Sequence, residues 1–401
     1  VLVASLIFVV TYVVVALGRA PGLRLDRTGA ALLGASLMVA SGTLTLDEAY
    51  RAIDIDTLTL LLGMMIVVAN LRIAGFFQLA AAWVAANAGR PVLLLLAVVL
   101  ISGLLSAFLV NDTVCLMLTP LVAEATLAMR RQPEPYLLAL AMASNIGSVA
   151  TITGNPQNIM IGSFSHLPYV DFAAALSPVA ACGLVIVTLL ILIAYRAEFF
   201  SSDRLRQAPI RLRWNRWLLL KSCCVTLGTV AFFFAGQPPA KVAILAGALL
   251  LLTRRVKPER VYREIDWSLL LFFAGLFIVV HGLEKAVLSP DLLAAAGRLQ
   301  LGHAAVLAGV SALLSNLVSN VPAVLVLKPF VQALPEANKA WLVLAMASTL
   351  AGNFTILGSV ANLIVAERAR RHGIVIGFWR YFRLGAPVTL LTIALGVWLL
   401  G

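Results

Sequence analysis

Charge is scarce in this chain: only 12% of its 401 residues are Asp, Glu, Lys or Arg. A soluble fold of that length exposes too much surface to be covered so thinly, and its 61% hydrophobic content could not be hidden from water. Acids are rarer than bases, 18 against 30. The resulting charge of +12 does not indicate nucleic-acid binding, because the basic residues sit in short loops between apolar runs and no soluble basic domain carries them. The four cysteines, Cys115, Cys182, Cys223 and Cys224, show no CxxC spacing; all fall in apolar segments and read as small buried hydrophobes. HExxH, GxSxG and Cys–His constellations are missing as well, which argues against a membrane enzyme, and no cofactor or metal is expected beyond a coupling cation. No charged region precedes the first apolar run, so no signal peptide is expected.

What the chain does have is apolar length. Residues 1–17, 91–110, 174–194 and 384–400 are long enough to cross a hydrocarbon core of roughly 30 Å. The expected class is an all-α polytopic integral membrane protein, located in a bacterial inner membrane. Lys and Arg concentrate in residues 195–217, 254–264 and 367–383, and around Arg19, Arg24, Arg27, Arg130 and Arg131, which reads these loops as cytoplasmic. Loops 45–56, 165–171, 235–240 and 334–339 are acidic or nearly neutral and read as external. That alternation predicts five crossings in residues 1–194, a basic cytoplasmic linker over 195–216, and five crossings of opposite topology in residues 217–401.

The halves also repeat. "LLSAFLVNDTVCLMLTPLV" (104–122) aligns without gaps to "LLSNLVSNVPAVLVLKPFV" (313–331), and "AMASNIGSVATITGNPQN" (141–158) to "AMASTLAGNFTILGSVAN" (345–362). "GMMIVVANL" (63–71) and "GLFIVVHGL" (275–283) precede them in the same order. Duplication with opposite topology is the inverted-repeat plan of secondary transporters. Each half then contains two interruptions. Segments 91–128 and 301–333 are apolar runs split by "VNDT" and "VSNVP", which keep the loop orientation only as re-entrant hairpins with tips near Asn111 and Asn320. "TITGNPQN" and "TILGSVAN" break a helix, because proline removes a backbone donor and glycine admits unusual dihedrals. Unwinding frees carbonyls and creates two half-helix ends with partial charge. Those ends, with Thr151, Asn155, Gln157 and Asn158 in one half and Thr355, Gly358, Ser359 and Asn362 in the other, can hold a cation or a hydroxyl-rich solute.

Asp112 is the one acid at a hairpin tip, and its repeat mate is Val321. An ionisable group at that depth is usually functional and suits proton coupling; the alternative is a helix N-cap. Lys328 is the other deep charge, free to pair with Asp112, approach an anionic substrate or snorkel outward. His281, Glu284 and Lys285 read as a solvated structural network, and Asp56 and Asp266, which begin matching helices, as caps or interface residues.

With these motifs in hand, the chain resembles the ion transporter superfamily, which includes arsenite permeases, divalent anion symporters and citrate-transporter-like proteins. It is most similar to the branch of plant silicic-acid efflux transporters and their bacterial relatives. The resemblance covers nearly the whole chain and implies that each hairpin tip and adjacent broken helix form half of a binding centre. That marks Asn111, Asp112 and Thr113 with Gly154, Asn155 and Asn158, and Ser319 and Asn320 with Gly358, Ser359 and Asn362. The sodium-coupled dicarboxylate branch resembles Ser-Asn-Thr at both tips, and this chain departs from that pattern at each. The implied function is proton-coupled efflux of a small oxyacid or oxyanion of the silicic acid or arsenite class, with Asp112 as the proton-linked group. The alternatives are a sodium-coupled anion or dicarboxylate carrier with sodium near Asp112, a sodium/proton antiporter, or an ion channel. Expected partners are a small inorganic solute, a coupling proton or sodium ion and the lipid bilayer, with a homodimer as the candidate assembly.

Overall fold

The computed structural model describes residues 1–18, 22, 24–200, 214–287 and 300–401. They fold as helices, with no β-strand among the described residues. Six helices are long and apolar enough to cross a membrane: Ile55–Ala74, Pro91–Phe108, Tyr169–Ala194, Arg216–Phe234, Trp267–Val287 and Phe378–Leu400. Loop charge predicts ten crossings; helix length alone marks six, one of them the first arm of an expected hairpin. Leu100 and Leu104 on Pro91–Phe108, and Val185, Leu189 and Ile193 on Tyr169–Ala194, point outward. Such a surface is stable against lipid tails, which are as apolar as Leu itself. Cys182 and Cys224 share this outward surface, contrary to the expectation that all four cysteines are buried; Cys115 is buried and Cys223 half-buried.

Two helices run through the centre. Pro133–Ser148 is buried continuously from Pro135 onward, and Ala337–Leu350 from Val343 onward. A helix buried on every side must be small or apolar, or have its polar groups bonded; these two are mostly small and apolar, and the Tyr136 hydroxyl and Asn145 amide are hydrogen-bonded. Each ends in a single tight turn, Ile152–Gly154 or Ala351–Asn353, before a new helix starts as Pro156–Ser165 or Val360–Arg370. Pro156 suits the first position of a helix, where no N–H is needed, and Asn155 caps it by accepting from the Asn158 N–H at 2.9 Å. Ser359 caps the second by accepting from Ala361 N at 3.2 Å.

Two hairpins flank these broken helices. Pro91–Phe108 turns into Asn111–Ala128 through Leu109 and Val110, and Ala304–Val318 turns into Asn320–Gln332 through Ser319 alone. Val110 (φ 48°) and Ser319 (φ 79°) occupy matching places in the repeat, and both hold a left-handed backbone that non-glycine residues rarely adopt. The arms after the tips cross over. Asn111–Ala128 packs along Val360–Arg370, while Asn320–Gln332 packs against Pro156–Ser165. Each hairpin thus leans on the broken helix of the other half.

Most of the expected linker, residues 201–213, lies outside the described residues, as do Arg19 and residues 288–299. The linker's first stretch is docked. Glu198 is buried and accepts from Arg131 Nε at 2.7 Å and the Tyr136 hydroxyl at 3.1 Å. An ion pair so far from water is retained only when its hydrogen bonds are satisfied, and these are.

Candidate functional site

The two breaks are wired alike. Asn158 Nδ2 donates to the carbonyls of Ser148 and Thr151, both at 3.1 Å. Asn362 Nδ2 donates to the carbonyls of Gly352 at 2.7 Å and Thr355 at 3.1 Å, the aligned positions. These carbonyls lost their helical partners when the chain unwound, and a buried carbonyl must find another donor. Asn158 and Asn362 therefore hold the breaks open from behind. Thr151 donates to the Ala107 carbonyl just before the first tip, and its hydroxyl lies 3.3 Å from that of Thr153, which meets the Tyr169 hydroxyl at 2.9 Å. Gly154 is a close-approach position: a Cβ there would fall 2.1 Å from the Ser148 carbonyl oxygen. At Gly358 it would fall 2.9 Å from Asn316 Oδ1.

At the first tip, Asn111 is buried and donates through Nδ2 to Asn145 Oδ1 at 2.9 Å, leaving its own Oδ1 without a partner. Asp112 lies in the first helical turn, but the cap is Val110, which makes no side-chain cap bond; the carboxylate faces the cavity instead. Thr113 contributes a backbone N–H to the Val110 carbonyl at 3.1 Å. At the second tip, Asn320 Oδ1 likewise has no partner.

The tips and breaks enclose a cavity of about 190 Å³. Asn111, Asp112, Pro156 and Gln157 line it from the first half, and Ser319, Asn320, Val321, Ser359 and Val360 from the second. Its rim carries Arg27 and Asp266. Of the residues expected from sequence, Asn111, Asp112, Gln157, Ser319, Asn320 and Ser359 face this space. Thr113, Thr151, Gly154, Asn155, Asn158, Thr355, Gly358 and Asn362 do not line it.

Four contributors escape sequence reasoning. Asp266 does cap its helix, accepting from Leu269 N at 3.0 Å, yet it also lines the cavity with Arg27. Asn145 and Thr349 occupy the same repeat position and cross between halves. Asn145 Nδ2 donates to Asn353 Oδ1 at 2.9 Å and Asn362 Oδ1 at 3.0 Å, and its Oδ1 accepts from the Ser359 hydroxyl at 3.1 Å. Thr349 Oγ1 accepts from Asn155 at 3.1 Å and Gln157 at 3.2 Å, and lies 3.4 Å from Asn158 Oδ1. The one available signal was the Asn/Thr mismatch within "AMASN" and "AMAST".

The structure decides two readings that the sequence leaves open. Asp56 is not a cap; Asp54 accepts from Thr57 N at 2.7 Å, and Asp56 lines a separate cavity of about 440 Å³ with His166, Tyr169 and Lys241. Lys328 does not pair with Asp112. It lies two helical turns beyond the tip, roughly 12 Å at 1.5 Å per residue. There its Nζ sits 3.8 Å from Glu284 Oε1 and 4.7 Å from the centre of the Phe164 ring, with His281 Nδ1 3.7 Å from the same carboxylate. Lys328→Met should therefore leave the pH profile of transport unshifted, read as uptake into vesicles across external pH; a displaced profile would restore the Asp112 pairing.

The citrate transporter family matches residues 12–351 of this chain. An uncharacterized transporter of Mycobacterium tuberculosis is 35% identical over 98% of this chain and 96% of its own. The silicon efflux transporter LSI3 of Oryza sativa subsp. japonica is 32% identical over 100% of this chain and 98% of its own. The crystal structure of the YdaH transporter of Alcanivorax borkumensis superposes with a TM-score of 0.62 at 17% identity, covering 98% of this chain and 95% of that one.

Proposed function

Because this chain belongs to the citrate transporter family, we propose that it is a secondary carrier exporting a small, uncharged oxyacid of the silicic or arsenous acid class in exchange for protons, by alternating access. It is an integral membrane transporter; the substrate and coupling ion are our reading. The observation that carries this reading is the surplus of acceptor oxygen among the residues that line the cavity. Asn111 Oδ1 and Asn320 Oδ1 are unpartnered acceptors, and Gln157 has committed its amide N–H to Thr349. Asp112 and Asp266 add two carboxyl groups against a single guanidinium, Arg27. A dicarboxylate would meet like charge, whereas a neutral polyhydroxy acid brings the donors these oxygens lack. The rice relative's designation as a silicon efflux transporter agrees in substrate class.

A pair of cavities that both reach the first break supports alternating access. The central cavity reaches Pro156 and Gln157, with Arg27 and Asp266 at its rim, next to loops whose charge reads as cytoplasmic. The larger cavity reaches Ile152, Ile159 and Gly162 and is bordered by loops that read as external. Thr151, Thr153 and Tyr169, joined by their hydroxyls, tie the first break to the helix that borders the larger cavity. In this reading residues 1–194 and 217–401 are two inverted repeats, each supplying one tip and one break.

Purified protein in proteoliposomes tests the reading, with silicic acid, arsenite and succinate offered under separately imposed pH and sodium gradients. Saturable, pH-driven movement of the two oxyacids is expected. Movement of succinate alone, or dependence on sodium at constant pH, would replace it with the sodium-coupled anion carrier, and uncoupled single-channel currents would make the protein a channel.

A further inference from the structure

An amide side chain looks the same from either end, but its two ends do opposite chemistry, and which end faces a ligand is set by what holds the other. In this protein that choice is dictated from a distance. The carbonyls of Gly352 and Thr355 can only accept, so Asn362 must turn its Nδ2 toward them, which it does at 2.7 and 3.1 Å. Its Oδ1 is then aimed at Asn145. Asn353 is fixed in the same way, donating to the Met142 carbonyl at 3.2 Å and presenting its oxygen to Asn145. Facing two oxygens, Asn145 must offer its own Nδ2, at 2.9 and 3.0 Å, and so turns its Oδ1 toward the first tip. Asn111 must meet that oxygen with its N–H, at 2.9 Å, and is left, as a residue lining the cavity, with a buried Oδ1 that has no partner in the protein.

We propose that Asn145 is a specificity-determining positioning residue: it relays the polarity of the unwound backbone in the second half to Asn111, fixing the first tip as a hydrogen-bond acceptor that selects hydroxyl-bearing solutes. The second tip has no such relay. Thr349 holds the matching position but is bonded to Asn155, Gln157 and Asn158, and Asn320 is not oriented by it. The inference rests on the cavity being the solute site, as proposed above, and names what tunes it.

The test compares Asn145→Asp with Asn145→Ala in the full chain. A carboxyl buried at this position takes up a proton, donates to Asn353 or Asn362, and still accepts from Asn111, so the tip keeps its polarity. Alanine releases Asn111 to turn either way. Binding of orthosilicic acid and of orthophosphate, a tetrahedral anion, is measured on detergent-solubilised protein. Asn145→Asp should hold silicic acid within about threefold of the parent, while Asn145→Ala should lose about tenfold to hundredfold, the worth of one misdirected buried hydrogen bond, and should lose preference over phosphate as well. A residue that merely tied the halves together would weaken both ligands alike in Asn145→Ala and leave the preference for silicic acid over phosphate unchanged; an unchanged preference, or Ala equal to or better than Asp, overturns the proposal. Asn145→Thr, which copies Thr349, replaces Ala should that variant fail to assemble. Adding Asn111→Ala to Asn145→Ala should cost less than about twofold more, because the two act through one bond. If the parent binds phosphate but neither silicic nor arsenous acid, the substrate assignment falls, and the order of Asp and Ala is read with the ligand that does bind.

Discussion

In Asp112→Asn, transport driven by a pH gradient should fall to the level of protein-free vesicles, while solute binding stays within about tenfold, the value of one ordinary hydrogen bond. Asparagine keeps the shape of the side chain and can still face the cavity, but it cannot take up and release a proton. No other tip residue can substitute: the repeat mate is Val321, and the remaining tip polar groups are amides and hydroxyls. Asp266 lines the same cavity, but its Oδ1 is occupied in capping a helix, which makes Asp266→Asn the milder of the two substitutions. The measurement is uptake at a fixed gradient beside equilibrium binding on the same preparation. Undiminished pH-driven transport in Asp112→Asn would remove the residue from the coupling role. Loss of sodium-driven rather than pH-driven transport would make the carboxylate a cation ligand instead.

Gly147→Ala should cost on the order of 3 kcal/mol or more, the upper range for forcing atoms into a packed interior. Its Cβ would fall 2.1 Å from the Gly103 carbonyl oxygen and 2.5 Å from both Gly103 C and Cα. Every one of these is backbone, held in Pro91–Phe108, so no rotamer change relieves the clash. Gly103→Ala offers the control. Its Cβ meets Leu184 Cδ1 at 2.8 Å, the far end of a flexible side chain, and should cost much less. Thermal midpoints in detergent, with size-exclusion profiles, would separate the two. Equal midpoints for the alanine variants would contradict the close approach of hairpin arm and central helix.

Local chemistry made much of this fold readable beforehand. Proline and glycine in "TITGNPQN", and polar residues splitting two apolar runs, mark the breaks and the tips because helix-breaking residues act where they stand. Six cavity residues follow directly from that. What stayed hidden depends on crossing between distant segments. Nothing in the neighbourhood of Asn145 announces that its partners are Asn353, Ser359 and Asn362, more than two hundred residues on. Asp266 was readable as a cap but not as a cavity group, since the second role comes from where its helix docks. Lys328 stayed open among three roles because sequence proximity to a tip says nothing about direction; two turns of helix carry it to Glu284.

The reciprocal ties of Asn145 and Thr349 also bear on how such a molecule can move. Six hydrogen bonds cross the seam between the halves at these two residues. At about 1 kcal/mol apiece, opening the molecule like a clamshell along that seam would forfeit roughly 6 kcal/mol before any water entered. The outer helices, by contrast, touch the centre largely through apolar side chains, with single hydrogen bonds from Tyr12 to the Pro322 carbonyl, from Thr389 to the Leu350 carbonyl and between Tyr169 and Thr153. The seam is stiff and its surroundings are slippery. If the protein works by alternating access as proposed, the cheapest motion keeps both tips and both breaks together as one block.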